Sequence, residues 1–68
     1  MAGLTARQAE ILELLNDGLS NIEIADRLFL SPRTVENHVG AVLSKLDAST
    51  RDEVVSVARK MGIVPADD

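Results

Sequence analysis

Few side chains in this sequence could make or break a covalent bond. There is no cysteine, which excludes thiolate nucleophiles, disulfides and thiolate metal sites. The one histidine, His38, has no second histidine or cysteine to complete a metal site and no nucleophile with which to form a triad. Glu10 and Glu13 stand three apart and could pair as acid and base, but that work needs a pocket and a neighbour that shifts one of the two pKa values. Neither is visible, and no glycine-rich phosphate loop is present. The groups that remain are suited to non-covalent recognition. Between Ser31 and Leu46, the residues Val35, Val39, Val42, Leu43 and Leu46 cluster on one side of a helical projection, while Arg33, Asn37, Gly40, Ala41 and Ser44 lie roughly opposite. One side of this helix is built for packing and the other is small and polar.

The rest of the chain holds that helix in place. Ser31 is a good N-cap and Pro32 occupies the first helical position, where a missing N–H costs nothing. Upstream, Thr5 and Gln8 have capping-box spacing and open a first helix from Thr5 to Asn16, stopped at Gly18. Its inward stripe is Ile11, Leu12, Leu15 and then Leu19, with Arg7, Glu10, Glu13 and Asp17 outside. Ser20 and Glu23 repeat the box for a second helix over 21–28, in which Ile24 with Leu28, and Ala25 with Phe29, are pairs for burial; Ile22 is left exposed. The connector Phe29-Leu30-Ser31 is so short that the second and third helices must meet at a sharp angle. That is the helix-turn-helix unit, whose second helix enters the DNA major groove. Thr50 and Glu53 give a third box, and the last helix runs from Arg51 to about Met61, ended by Gly62. Val54, Ala58 and Met61 form its inward stripe. Val55 and Val57 lie at its margins, as core packing or as an edge for self-association.

Length and composition agree with a single helical domain. The chain has 68 residues, of which 46% are hydrophobic, mostly aliphatic, with Phe29 the sole aromatic residue. A chain of this size is near the lower limit for a core without staples. It has no apolar run of membrane-spanning length and no signal-peptide pattern at its start, so a cytoplasmic location is expected. Both ends read as trimmed edges of a longer protein, with residues 1–3 and 65–68 flexible. The net charge of −4 runs against a nucleic-acid partner, whose affinity comes largely from cations. The distribution is uneven: residues 1–30 carry −3 and residues 31–60 carry +1.

The segment LTARQAEILELLNDGLSNIEIADRLFLSPRTVENHVGAVLSKLDASTRDEVV resembles the LuxR/GerE-type helix-turn-helix domain, the DNA-binding output module of many bacterial transcription regulators. The likeness covers residues 4–64. It rests on Leu4-Thr5, Gly18-Leu19-Ser20-Asn21, Glu23-Ile24-Ala25, Ser31, Thr34-Val35, His38-Val39, Leu43, Lys45-Leu46 and Arg51, each weak alone and strong in register. The resemblance implies an all-α, compact four-helix domain with the helix-turn-helix in its second and third helices and a dimerisation surface on the fourth, at Val55, Val57 and Ala58. It implies double-stranded DNA as partner and a homodimer, with no cofactor, no metal, no membrane and no small-molecule ligand in this domain. Asn21, Arg33, Thr34, His38, Lys45 and Arg51 fall where backbone phosphates are met, Thr34 being in the first turn, where free N–H groups and the helix dipole favour an anion. Glu36, Asn37 and Gly40 match base-reading positions. Asn37 can pair bidentately with adenine, Glu36 can accept from the cytosine amino group, and Gly40 can let the backbone approach closely.

Two departures from the family pattern bear on affinity. Ile22 stands where a lysine often follows the asparagine, and Glu36 stands where a cation is frequent. Weaker binding by the monomer is therefore expected. The rival reading is a protein-interaction or dimerisation module on the same fold with weak or no DNA binding, which the net charge, Ile22 and Glu36 favour.

Overall fold

Four cap sequences produce four short helices. The computed structural model describes residues 3–66 and contains α1 (Ala6–Asn16), α2 (Asn21–Leu28), α3 (Pro32–Lys45) and α4 (Arg51–Lys60). Each helix starts behind a hydroxyl that accepts a hydrogen bond from the third helical amide: Thr5 from Gln8, Ser20 from Glu23, Ser31 from Thr34 and Thr50 from Glu53. A cap of this kind satisfies one otherwise free donor and contributes about 1 kcal/mol. The reciprocal bond is made at α1, where Gln8 Oε1 accepts from the Thr5 N–H at 3.1 Å, and at α2, where Glu23 Oε1 accepts from the Ser20 N–H at 2.8 Å. At α4 the expected box is only half formed. Glu53 Oε1 accepts at 2.7 Å from the N–H of Ser49, not from that of Thr50. The cap residue there is more extended, at φ −136° against −75° to −78° in the other three, and the preceding amide meets the carboxylate instead.

All four helices also end alike. A residue in the left-handed region follows the last turn, and the amide after it bonds back to the carbonyl five residues earlier: Leu19 to Leu14, Leu30 to Ala25, Ala48 to Leu43 and Ile63 to Ala58, at 2.9 to 3.1 Å. This is the Schellman motif, which turns the chain and folds an apolar residue back toward the helix. Leu19, Leu30, Ala48 and Ile63 all pack against the core. Gly18 (φ 86°) and Gly62 (φ 75°) take the left-handed position without a Cβ penalty, whereas Phe29 (φ 57°) and Asp47 (φ 54°) take it with one.

These ends correct two expectations about burial. Phe29 does not pair with Ala25 inside; it is 94% exposed, because the left-handed turn takes its Cβ off the helix face and Leu30 moves inward in its place. Met61 is 56% exposed, and Val64, beyond the Gly62 turn, closes the core instead. Ile22 is 68% exposed, as the pattern required.

The core is aliphatic. Ile11 and Leu12 of α1, Ile24 of α2, Val35 and Val42 of α3, and Val54 and Ala58 of α4 are fully enclosed, and among the described residues no polar side chain is buried with them. Each large side chain so enclosed contributes about 1.5–3 kcal/mol. α3 packs against α1, α2 and α4, and α4 also packs on α1, so α3 is the central helix of a body 29 × 25 × 20 Å across. Residues 1, 2, 67 and 68, part of the ends expected to be flexible, lie outside the described residues. Of the rest of those ends, the Gly3 carbonyl accepts from Lys45 and the Pro65 carbonyl accepts from Asn16 Nδ2 at 3.2 Å. Among the described residues no helix is long and apolar enough to cross a membrane.

Candidate nucleic-acid interface

α3 is buried along Val35, Val39 and Val42 and bare along Arg33, Glu36, Asn37, Gly40 and Ser44, all of them exposed. The side chains of Arg33, Glu36 and Asn37 have no hydrogen-bond or ion-pair partner among the described residues. His38 lies half-buried between the two sides, also without a partner. Gly40 faces open space: a Cβ built there would meet nothing within 4 Å. Its lack of a side chain therefore serves neither packing nor backbone geometry.

The remaining expected contacts are already engaged within the fold. The guanidinium of Arg51, at the start of α4, donates to Asn21 Oδ1 at the start of α2 and, at 3.0 Å, to the Leu19 carbonyl in the turn between α1 and α2. The Lys45 ammonium, in the last turn of α3, donates to Gln8 Oε1 at 2.7 Å and to the Gly3 carbonyl at 2.6 Å. Thr34 is half-buried and its hydroxyl lies 2.9 Å from that of Ser31. Sequence reasoning placed Asn21, Lys45 and Arg51 separately but missed that each bridges two elements. For Lys45 the available signal was Gln8, whose amide oxygen serves both the α1 cap and the lysine.

The start of α3 has fewer free donors than the dipole argument assumed. Pro32 has no N–H, the Thr34 amide is held by Ser31 Oγ at 3.1 Å, and that of Val35 by the Ser31 carbonyl at 3.1 Å. Of the first-turn amides, that of Arg33 has no partner among the described residues and can meet an anion. At α2, the Ser20 backbone N–H, followed by the Ser20 hydroxyl, holds the Glu23 carboxyl below the usual glutamate range, so Glu23 is a fixed negative charge beside the domain's first turn.

Of the three residues of the fourth helix expected to form a dimerisation surface, one is enclosed within the single chain. Ala58 is fully buried and has nothing to offer a partner. Val55 and Val57 are both half-buried and packed on the core, and, two residues apart, they lie on opposite flanks of the helix. The outward face of α4 is polar, with Asp52, Glu53, Ser56 and Lys60 exposed. A second clasp locks its far end: Arg59 Nε donates to Asn16 Oδ1 at 2.7 Å. Among the described residues no cluster of His, Asp and Glu is arranged to hold a metal.

Two helices joined by the tight turn at 29–31, the second bare and braced on both sides, define a helix-turn-helix domain. The sequence pattern described as "Bacterial regulatory proteins, luxR family" (GerE) matches residues 2–58, and the chain belongs to that family. The transcriptional regulatory protein FixJ of Azorhizobium caulinodans is 44% identical over 68 residues, covering 100% of this chain and 32% of FixJ. The transcriptional regulatory protein DegU of Brevibacillus brevis is 41% identical over 61 residues, covering 90% of this chain and 26% of DegU. The solved structure of the transcription factor GerE is similar with a TM-score of 0.84 at 33% identity, covering 94% of this chain and 96% of that one. The chain thus spans a third or less of FixJ and DegU and nearly the whole of GerE.

Proposed function

We propose that this domain binds double-stranded DNA in a sequence-specific manner as part of a bacterial transcriptional regulator, in the cytoplasm and as a homodimer, with α3 in the major groove. The observation that carries this reading is the division of labour among the nine candidate residues. Asn21, Thr34, Lys45 and Arg51 are pre-positioned by bonds within the fold. Arg33, Glu36, Asn37 and His38 have no side-chain partner among the described residues, and Gly40 is bare. Phosphate contacts set register and benefit from rigid donors, and four of the six phosphate candidates are so held, Arg33 and His38 being the two that are not; base edges must be met by side chains that are not already satisfied, as Glu36 and Asn37 are not. An Arg51 guanidinium has five N–H groups and a Lys45 ammonium three, so each keeps donors for a phosphate while bonded to its neighbours. Arg33 adds a free cation at the start of the helix.

The activity is recognition without catalysis: Glu10 and Glu13 are exposed on α1, and no cofactor or small-molecule ligand is assigned to this domain. Selection from a random duplex library, followed by titration at two salt concentrations, tests the proposal. A recovered consensus whose affinity falls with salt and with Arg33→Ala and Asn37→Ala supports it. Binding without any selected sequence, or without salt dependence, overturns it in favour of the protein-interaction reading.

A further inference from the structure

The exposed side of α2 is unlike that of α3. Phe29 stands 94% exposed at the left-handed position that Gly18 and Gly62 fill in α1 and α4. It pays a steric cost those glycines avoid and recovers no burial in return. The ring borders a groove lined by Leu19, Glu23, Asp26 and Arg27. A second groove, meeting the first at Arg27, is lined by Glu10, Glu13, Leu14, Asp17 and Leu28. Together they form a mixed strip, with Leu14, Leu19, Leu28 and Phe29 as its apolar residues and Arg27 at the junction, flanked by five carboxylates, of which Glu23 is held ionised by its cap and Glu10 is paired at 3.6 Å with Arg7.

We propose that this α1–α2 surface docks a cationic, amphipathic segment of another protein, with Phe29 as its apolar anchor. Charge complementarity selects the occupant. Nucleic acid is repelled by the carboxylates. A second copy of this chain brings a net charge of −4 to this acidic surface, so it is the poorer match here. A segment with Lys or Arg on both sides of one or two large apolar side chains fits both the strip and its rim. Interfaces of this kind concentrate their energy in a central aromatic anchor, with surrounding charge setting specificity. None of these residues is among the candidate DNA-contacting residues, so the inference does not rest on the DNA reading.

The test uses the 15N-labelled 68-residue chain and three synthetic helical peptides at physiological salt: one with lysines flanking leucines, one with the same lysines and the leucines replaced by serine, and one with the leucines kept and the lysines replaced by glutamate. The first peptide is expected to bind saturably, shifting amide signals of residues 13–29 and not those of 33–40. Phe29→Asn, which keeps a residue tolerant of the left-handed turn, should weaken that binding at least tenfold, and Asp26→Asn about threefold. Equal binding of the first and second peptides, or of the first and third, overturns the proposal, as does a Phe29→Asn chain that binds unchanged. Shifts centred on α3, or self-association of the chain through Phe29 without peptide, overturn it as well. DNA titration of the same Phe29→Asn chain gives a separate readout, so that loss of peptide binding with DNA binding intact isolates this surface.

Discussion

The guanidinium of Arg51 donates to the side-chain oxygen of Asn21, thirty positions earlier in the chain, while a second nitrogen reaches the Leu19 carbonyl. This ties the start of α4 to the start of α2 and to the turn before it, and so fixes the helix that braces α3. Arg51→Lys keeps the charge but loses the planar fork. It should lower unfolding stability by about 1–2 kcal/mol, the bond being only partly buried. A double-mutant cycle with Asn21→Ala, read by urea unfolding, should give a coupling of roughly 1 kcal/mol; additive losses would mean the two side chains do not act together.

Gly40 predicts opposite effects on folding and binding. It sits inside a helix with open space where a Cβ would go, so Gly40→Ala should raise stability by about 1 kcal/mol through helix propensity alone. If α3 lies in a groove at this position, the same methyl should weaken DNA binding several-fold. Thermal unfolding and a duplex titration on the one variant check both signs.

Glu36 is an unpartnered negative charge on the bare face of α3. Glu36→Lys should tighten binding to mixed-sequence duplexes and steepen the dependence of log K on log salt by about 1 to 2, since one repulsion is removed and one phosphate contact added. It should also erase any preference for cytosine at the contacted position. An unchanged salt slope would place Glu36 away from the duplex.

Phe29 occupies a left-handed position with its ring in solvent. Phe29→Asn should leave stability unchanged or raise it by up to about 1 kcal/mol, because αL is better tolerated and no burial is lost. Val35→Ala, at a fully enclosed site, should cost about 2 kcal/mol. Denaturation midpoints of the two variants set against wild type decide whether the ring is structural.

Glu23 carries the pH dependence that can be assigned. Its folded pKa is depressed by the Ser20 N–H and then by the Ser20 hydroxyl, so the stabilisation it gives is complete above the ordinary glutamate value. It is lost as pH falls from that value through the lower folded one. Glu23→Gln keeps the capping geometry but not the charge, and should flatten this part of the stability–pH curve measured by urea midpoints.

The helices and their limits were legible in the sequence because they are set locally. Thr5, Ser20, Ser31 and Thr50 accept from amides three residues away, and Gly18 and Gly62 end helices through their own backbone freedom. The bare face of α3 was legible for the same reason, since a 3.6-residue period needs no knowledge of neighbours. The tertiary structure decided what depends on residues distant in sequence. Lys45 meets Gln8 and Gly3, Arg51 meets Asn21 and Leu19, and Arg59 meets Asn16, pairings that exist only once α3 and α4 have packed on α1. It also decided which side chain of a turn goes inward: Leu30 rather than Phe29, and Val64 rather than Met61. Those choices follow from left-handed residues at the helix ends, which break the periodicity that would otherwise have placed Phe29 and Met61 in the core.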